Sequence, residues 1–431
     1  MPHVIFVPLT GFRVGEAELR ELGVTSPGLA DRGAAIARLP ALGPLTLAGM
    51  TPPPWSCSYL DAPAETEALV DRLAEEKPDL VAVSALTASA EEAYRLGARL
   101  RQRGLRCVLG GLHATACPEE AAAHFDAVVA GEGEPVWRQV LEDALEGRLH
   151  GIYRPDQPFD LSSAPTPRYD LLGGRRPRFT VQTQRGCPLA CEFCGASRLL
   201  GAFREKPVER LREELAALAA LGPRPVVELA DDNTFAGARD PGPLLEVLGR
   251  SGARYFTEAD WRVGERPDVL RGLSSSGCVQ VLVGLESLVF RHPGMGAKQA
   301  ELSRMIDACL AIQEAGVAVL ACFIVGADGE TRASLERLTA FLLECPLADV
   351  QVTLQTPFPG TGLYRRLAKA GRLLPGRGWS HYTLFDVTYR PDAMTVPELE
   401  RGFREVLAAV FAKGPSERRG RSAGRRGRGS P

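Results

Sequence analysis

The sequence holds three closely spaced cysteines, Cys187, Cys191 and Cys194, in the run Cys-Pro-Leu-Ala-Cys-Glu-Phe-Cys. Thiolates at this spacing can converge on one metal centre. No further cysteine or histidine lies nearby to complete a set of four protein ligands. Because an iron-sulfur cluster normally takes four cysteines, three would leave one iron free to bind a group that is not protein.

Two other interpretations of these cysteines remain open. A zinc site would need a second pair of ligands at finger-like spacing, and the sequence has none beside the trio. The three residues could also be ordinary loop cysteines without a ligand role. Ten cysteines in a chain without a secretion signal indicate reduced thiols rather than a disulfide framework, and most of the others lie in or beside apolar stretches, as small core residues do.

The elements around the cysteine run decide where its thiols lie. From 1 to 150 the chain alternates short apolar runs with Ala-rich helical stretches, including 65–76 and 90–103. This alternation is typical of an α/β, doubly wound, Rossmann-like domain with a parallel sheet. Five strands are predicted in it: His3 to Leu9, Trp55 to Leu60, Leu80 to Ser84, Leu105 to Leu109 and Ala127 to Ala130. Ligands of such sheets bind beyond the carboxyl ends of the strands.

A second alternating block follows a linker predicted at 151–178, which is dense in Pro, Gly, Arg and Asp. Six strands are predicted in the block, 179–362: Phe179 to Gln184, Pro225 to Leu229, Arg254 to Glu258, Val279 to Leu285, Val317 to Val325 and Val350 to Thr356. Six strand-helix units are too many for a small open sheet and too few for a complete eight-unit barrel. The pattern therefore predicts a partial (β/α)6 TIM-like barrel.

The chain is expected to end in a small extension and a tail. Within the extension, 363–412, the segment 379–389 has strand-like content, and Thr395 with Glu398 predicts a capping box that starts a helix reaching about Phe411. The tail, 413–431, is rich in Gly, Ser and Arg and lacks apolar residues to bury, which predicts disorder.

Composition narrows the classes of function. The formal net charge of −2 over 431 residues gives no reason to expect nucleic acid or an anionic membrane as a partner. No stretch approaches the roughly 18 apolar residues of a membrane span, and the N-terminus lacks a basic region before its apolar run, so a cytoplasmic protein is expected.

The cysteine run resembles that of the radical S-adenosylmethionine (SAM) superfamily. The likeness rests on the Cys-x3-Cys-x2-Cys spacing, on Phe193 before the last cysteine, and on the position of the run after the first strand of a six-unit block. The resemblance implies a [4Fe-4S] cluster held by Cys187, Cys191 and Cys194. Its fourth iron would chelate SAM, which is then cleaved to methionine and a 5′-deoxyadenosyl radical.

The resemblance also implies SAM contacts at the carboxyl ends of the barrel strands. The residues at these positions are Phe193, Asp231, Asp232, Glu258, Arg262, Glu286, Ser287 and Gly326. The segment 230–233 stands where the family has a Gly-Gly-Glu-like segment that receives the methionine amino group. Its two adjacent acids do not match that segment literally, so either Asp231 or Asp232 could be the one that meets the cofactor.

The N-terminal block resembles the cobalamin-binding domain attached to many radical SAM enzymes, through 39–43, 110–115, 118–120 and 131–134. The resemblance implies cobalamin as a cofactor. The residues that would contact it are Ser84, Thr87, Gly110, Gly111, His113, Gly131, Glu132 and Gly133. The Asp-x-His-x-x-Gly motif that supplies a histidine to cobalt elsewhere is absent, so His113 is expected to form hydrogen bonds within its loop rather than to ligate cobalt.

Together these features favour a cobalamin-dependent radical SAM enzyme that methylates an unactivated carbon of a small molecule. An electron donor such as flavodoxin or ferredoxin is the expected partner. The alternative within the family is a radical cyclase, oxidase or rearrangement enzyme without methyl transfer. A non-enzymatic protein that binds metal and nucleic acid is a further alternative of another class. Neither the substrate nor the catalytic residues that touch it follow from the sequence.

Overall fold

The structure is a computed structural model that describes residues 1–11, 13–15, 17–25, 39–173, 178–237, 239–412 and 414–415. The tail that the sequence predicts to be disordered, 413–431, lies outside the described residues apart from 414 and 415. None of the described helices is both long enough and apolar enough to cross a membrane.

The N-terminal sheet has six parallel strands: β1 His3–Pro8, β2 Ser56–Tyr59, β3 Leu80–Ser84, β4 Cys107–Gly110, β5 Ala127–Val129 and β6 Gly151–Tyr153. Their order is β2-β1-β3-β4-β5-β6. Five of them were predicted, and β6 falls in the segment predicted as a linker. It has only three residues and no apolar alternation, and it becomes a strand because it pairs with β5, Val128 lying opposite Ile152.

Helices cover both faces of this sheet, as the doubly wound prediction requires. They are α2 Leu42–Met50, α3 Glu67–Glu76, α4 Ala90–Gln102, α5 Leu112–Ala116, α6 Pro118–Ala122 and α7 Trp137–Leu145, whereas α1 Ala17–Thr25 buries Leu19 in the barrel core. Alternate side chains of β1 enter two separate cores, Ile5 with α3 and α4 on one face and Phe6 with α7 on the other. This alternation is the period of two expected of a strand buried on both faces.

The second sheet also has six parallel strands: β7 Phe179–Val181, β10 Val226–Leu229, β11 Arg254–Ala259, β12 Cys278–Glu286, β13 Ala318–Val325 and β14 Asp349–Leu354. Their order in the sheet is their order in the chain, which confirms the partial barrel. A short antiparallel pair, β8 Gln184–Arg185 and β9 Arg204–Glu205, flanks the cysteine run.

The strand predicted over 179–184 is divided between β7 and β8. Asp231 is the physical reason, because its Oδ1 accepts hydrogen bonds from the backbone nitrogens of Thr183 at 2.8 Å and Gln184 at 3.1 Å. Those donors are then not available to a strand ladder, and the chain turns towards the cysteines.

The barrel helices are α8 Ala196–Leu199, α9 Val208–Leu221, α10 Gly242–Ser251, α11 Pro267–Leu273, α12 Leu302–Glu314, α13 Arg332–Glu344, α14 Gly362–Lys369 and α15 Val396–Val410. Side chains of α15, among them Phe403 and Val406, join the barrel core, so the C-terminal extension packs on the barrel as expected. The predicted capping box of Thr395 and Glu398 is present.

The segment 379–389 does not form the strand that its composition suggests. It holds a 3₁₀ turn, Trp379–His381, and a single bridge between Leu373 and Tyr389. Thr383 donates to Asp386 within the segment at 2.5 Å, and the indole of Trp379 donates to Glu120 of α6, in the N-terminal domain, at 2.7 Å. The segment therefore connects the barrel to the N-terminal domain instead of extending a sheet.

Candidate active site

The cysteine run forms a loop at the carboxyl end of the barrel sheet. Cys191 is buried, while Cys187 and Cys194 are partly exposed. Burial raises the pKa of the Cys191 thiol to about 11, and the neighbouring Glu286, Cys194 and Cys187 raise it further, whereas Lys298 lowers it. The thiols therefore lie close enough for a negative charge on one to disfavour a negative charge on another. A bound cation or cluster would offset this repulsion.

The donor set of the loop is three sulfurs and no fourth ligand. Within the described ranges, no three His, Cys, Asp or Glu side chains are arranged to hold a single metal ion. A cubane cluster distributes its ligands over separate irons, so the three thiols of this loop fit a [4Fe-4S] cluster with one open iron.

Neighbouring segments fix the shape of the cysteine loop. The backbone nitrogens of Ala190 and Glu192 donate to Gly294 at 3.1 Å and Pro293 at 2.9 Å. The carboxylate of Glu192 pairs with Arg366 of α14 at 2.7 Å. Phe193, a predicted SAM contact, turns its ring edge-on to His292 with centroids 4.8 Å apart. The loop is thus held from both sides.

The two adjacent acids after β10 have different environments. Asp231 accepts hydrogen bonds from the Thr183 nitrogen and hydroxyl, the Gln184 nitrogen and the Thr234 hydroxyl. Asp232 accepts from the Gly186 backbone, and burial together with the charge of Asp231 raises its pKa to about 6. Asp231 is therefore a brace of the turn before the cysteines, and Asp232 keeps acceptor capacity for a ligand.

A polar chain next to Cys187 was not among the predicted site residues. Asn233 donates from Nδ2 to the Cys187 sulfur at 3.8 Å and to Asp260 at 3.1 Å. Asp260 in turn holds both Nε and Nη2 of Arg262 at 2.8 Å. This chain positions Arg262, a predicted SAM contact, beside the first cysteine. The signal in the sequence was an Asn and an Asp at the ends of two neighbouring strands.

Glu258 faces the interior of the barrel from the end of β11. The residue is half-buried. The loss of solvent around its carboxyl group, together with the charges of Glu228 and Asp232, raises its pKa to about 8. Glu228 projects inwards from β10, and its pKa is also raised by burial. The barrel interior therefore presents carboxyl groups that favour the protonated form or a nearby positive charge.

Glu286 ends β12 in the left-handed region, with φ of +68°. Its carboxylate forms a buried ion pair with Lys298, whose backbone oxygen accepts from the indole of Trp261 at 2.7 Å. A non-glycine residue held in this region is strained, and such strain is common at binding sites. Lys298 lies in a loop without strong periodicity, and it was not among the predicted site residues.

Glu330, also missed, ties together two predicted SAM contacts. It accepts from the Ser287 hydroxyl at 2.8 Å and from the Gly326 nitrogen at 2.6 Å. Gly326 has φ of +91°, and the Tyr389 hydroxyl, which donates to its carbonyl oxygen, occupies the space of a Cβ atom. The ends of β12 and β13 are therefore held in one arrangement around a buried carboxylate.

Four of the eight predicted cobalamin contacts lie along the carboxyl edge of the N-terminal sheet: Ser84, Gly110, Gly111 and Gly131. Gly111 has φ of +101°, and a Cβ atom there would lie 2.6 Å from the Ala85 oxygen, next to Ser84. A Cβ atom at Gly110 would meet nothing within 4 Å. Thr115 links two of the loops, because its hydroxyl donates to Gly111 at 2.9 Å and accepts from Gly131 at 3.0 Å. The edge thus offers backbone and open space to a bulky planar ligand.

Four of the predicted cobalamin contacts are placed differently from this open edge. Thr87 is buried, and Leu86 before it is exposed. His113 is fully buried in α5, and its ring lies 2.8 Å from the hydroxyl of Tyr94 on α4, so this hydrogen bond joins two helices rather than lying within a loop. Gly133 faces Leu47. Glu132 is turned away towards the barrel, where it pairs with Arg185. Contact with cobalamin remains a prediction for all four.

Family comparisons agree with this two-part geometry. The B12 binding domain family matches residues 35–141, and the Radical SAM superfamily matches residues 181–342. The chain is a radical SAM enzyme with a B12-binding domain. The first match covers the glycine edge, and the second covers the cysteine loop and the ends of β10 to β13.

Several relatives of this radical SAM enzyme are similar over most of their length. A bacteriochlorophyllide d C-12(1)-methyltransferase of Chlorobaculum tepidum is 25% identical over 77% of this chain and 75% of its own. An anaerobic magnesium-protoporphyrin IX monomethyl ester cyclase of Cereibacter sphaeroides is 24% identical over 86% of this chain and 69% of its own. The solved structure of the radical SAM methyltransferase TsrM from Kitasatospora setae superposes with a TM-score of 0.66 at 14% identity, covering 96% of this chain and 90% of that chain, which shows a shared fold.

Proposed function

We propose that this radical SAM enzyme uses cobalamin to methylate an unactivated carbon of a small molecule. One observation carries the proposal: α5, which follows Gly110 and Gly111, and α8, which follows the cysteine loop, meet at Gly360. Gly360 packs between them, since a Cβ atom there would lie 2.8 Å from Leu199 of α8 and 3.6 Å from Ala116 of α5. A methyl carrier at one edge and a radical source at the other could then reach the same substrate carbon.

Different residues of the candidate site would bind the cluster, SAM and cobalamin. Cys187, Cys191 and Cys194 would hold the cluster, and Asp232 would accept the amino group of SAM while Asp231 braces the turn. When bound, the cluster supplies the electron that splits SAM, and cobalamin carries the methyl group. Arg262, positioned by Asp260, lies near Cys187, and Glu286, paired with Lys298, lies near Cys191, so both would orient the cofactor. The edge at Gly110 and Gly111 would admit the corrin by close backbone approach.

The relatives support methyl transfer, since the Chlorobaculum tepidum protein is named a methyltransferase. The same reaction class requires a one-electron donor, and we propose a small flavodoxin- or ferredoxin-like protein. The cyclase relative favours a second candidate, radical oxidative cyclisation without methyl transfer.

A labelling experiment separates the two. Anaerobically reconstituted enzyme is incubated with SAM that carries a labelled methyl group and with an extract of the source organism. A product that gains one labelled methyl group supports the proposal. Formation of 5′-deoxyadenosine by protein that retains no cobalamin would eliminate it in favour of the cyclase-type reaction.

A further inference from the structure

Four charged side chains join the N-terminal domain to the strand before the cysteine loop. Arg185 pairs with Glu132 at 2.5 Å and with Glu134 at 2.7 Å, and Arg204 pairs with Glu132 at 2.9 Å. We call these four residues the Glu-Arg clamp. Their side chains are only 7% to 19% exposed, so these are buried ion pairs rather than surface ones.

Each half of the clamp belongs to a different cofactor region. Glu132 and Glu134 alternate with glycines in the loop after β5, at the edge where cobalamin is expected. Arg185 ends β8, two residues before Cys187, and its partner across the β8–β9 pair is Arg204. A shift of the glycine loop would therefore move the residues that lead directly into the first cluster ligand.

Glu132 has little capacity left for a direct cofactor contact. Both of its oxygens receive bonds from Arg204 at 2.9 Å, and one also accepts from the Phe159 nitrogen at 2.7 Å. Although burial alone would raise its pKa, the bonds from Arg204, Phe159 and Arg185 lower it overall. In this arrangement the carboxylate of Glu132 acts through the two arginines, and its contact with cobalamin stays a prediction.

The stability of the clamp depends on all four of its charges. Removal of one partner leaves the others buried and uncompensated, so the four charges are favourable only when all are in register. Gly131, next to Glu132, has φ of +103°, a backbone conformation that favours glycine. A ligand held against this loop would stabilise the position of the carboxylates, and through the arginines it would stabilise the segment before Cys187.

We propose that the Glu-Arg clamp couples the two cofactor sites, so that a bound cobalamin and an assembled cluster each raise the affinity of the protein for the other. This inference rests on the proposed function. The clamp residues are positioning residues, because they touch the loops rather than the reacting atoms. Coupling of this kind is reciprocal in free energy and commonly amounts to a roughly 5- to 150-fold change in affinity.

The test measures the cobalamin dissociation constant by equilibrium dialysis, on full-length protein with and without reconstituted cluster. The wild-type protein is expected to bind cobalamin at least about fivefold more tightly when the cluster is present. In Arg185→Gln this ratio should fall to near one. Arg250→Gln is the matched control, since Arg250 forms an exposed pair with Glu246 on α10 and should leave the ratio unchanged.

Two further variants keep the test decisive if Arg185→Gln folds poorly. Arg185→Lys keeps the charge but loses the paired geometry, and it should give an intermediate ratio. Glu134→Gln removes a single pair and should also reduce it. A ratio that stays at the wild-type value in these variants, or is already one in the wild type, overturns the coupling. A protein that binds no cobalamin in either state instead contradicts the proposed function.

Discussion

The two six-stranded parallel sheets of this enzyme build their sites in opposite ways. The N-terminal sheet has the order β2-β1-β3-β4-β5-β6 and is covered on both faces, so its ligand edge consists of loops with Gly110, Gly111 and Gly131. The barrel sheet follows chain order and has one face in the main core, which leaves Glu228 and Glu258 directed inwards. Strand order therefore decides whether a site is made from backbone at an edge or from side chains in an interior.

The largest expected effect comes from the side chains of the barrel site. Replacement of Cys187, Cys191 or Cys194 with Ala should abolish iron binding and SAM cleavage, because each thiolate holds one iron. Cobalamin should still bind, since the glycine edge contributes none of these ligands, but with the lower affinity that the clamp predicts for cluster-free protein. Iron content, visible absorbance and 5′-deoxyadenosine formation report the result. Cys57→Ala, in β2, is the control that should retain all three.

Substitutions of the two adjacent acids distinguish a residue that supports the turn, Asp231, from a residue that would bind SAM, Asp232. Asp231→Ala leaves the buried donors at Thr183 and Gln184 without an acceptor and should lower the free energy of unfolding by at least about 2 kcal/mol. Asp232→Asn should leave stability within about 0.5 kcal/mol but weaken SAM binding roughly tenfold. Chemical denaturation and SAM titration measure the two effects. A SAM affinity in Asp232→Asn equal to that of the wild type would remove Asp232 from the site.

Substitutions of two neighbouring glycines test the carboxyl edge of the N-terminal sheet, where the predicted site consists of backbone. Gly111→Ala introduces a side chain at φ of +101° against the Ala85 oxygen and should destabilise the protein by roughly 1–3 kcal/mol. Gly110→Ala adds a methyl group in open space, so thermal unfolding should not change, whereas cobalamin retention on a desalting column should fall. Retained cobalamin in Gly110→Ala would place the corrin elsewhere.

The smallest expected change is the one produced by a single unit of pH. Burial raises the pKa of Glu258 from 4.5 to about 8, so between these values the folded protein holds a proton that the unfolded chain has lost. Stability of the cluster-free protein should therefore fall as pH rises through this window, by at most about 1.4 kcal/mol per pH unit from this group. Glu258→Gln should flatten the slope, as seen in thermal unfolding from pH 5 to 9. An identical slope in wild type and variant would show that Glu258 titrates normally.

The local pattern of residues was sufficient for much of the architecture. Alternating apolar runs located all six barrel strands and five of the six N-terminal strands, because buried parallel strands are continuous apolar segments whatever their neighbours are. The trio of cysteines located the cluster loop for a similar reason, since its ligands lie within eight residues of each other. The three-residue β6 was missed because only its pairing with β5 makes it a strand.

The roles of individual acids depended on partners that are far apart in the chain. Asp231 and Asp232 are equivalent by sequence, and only the contact of Asp231 with Thr183, 48 residues away, makes one a brace and leaves the other open. Glu132 lies in a glycine-rich sequence typical of a cofactor loop. Its carboxylate nevertheless accepts a hydrogen bond from Arg185, 53 residues further on. Residue type and spacing thus determined the kinds of chemistry available, and tertiary packing decided which side chain performs each role, because burial and hydrogen bonding depend on neighbours that local sequence does not specify.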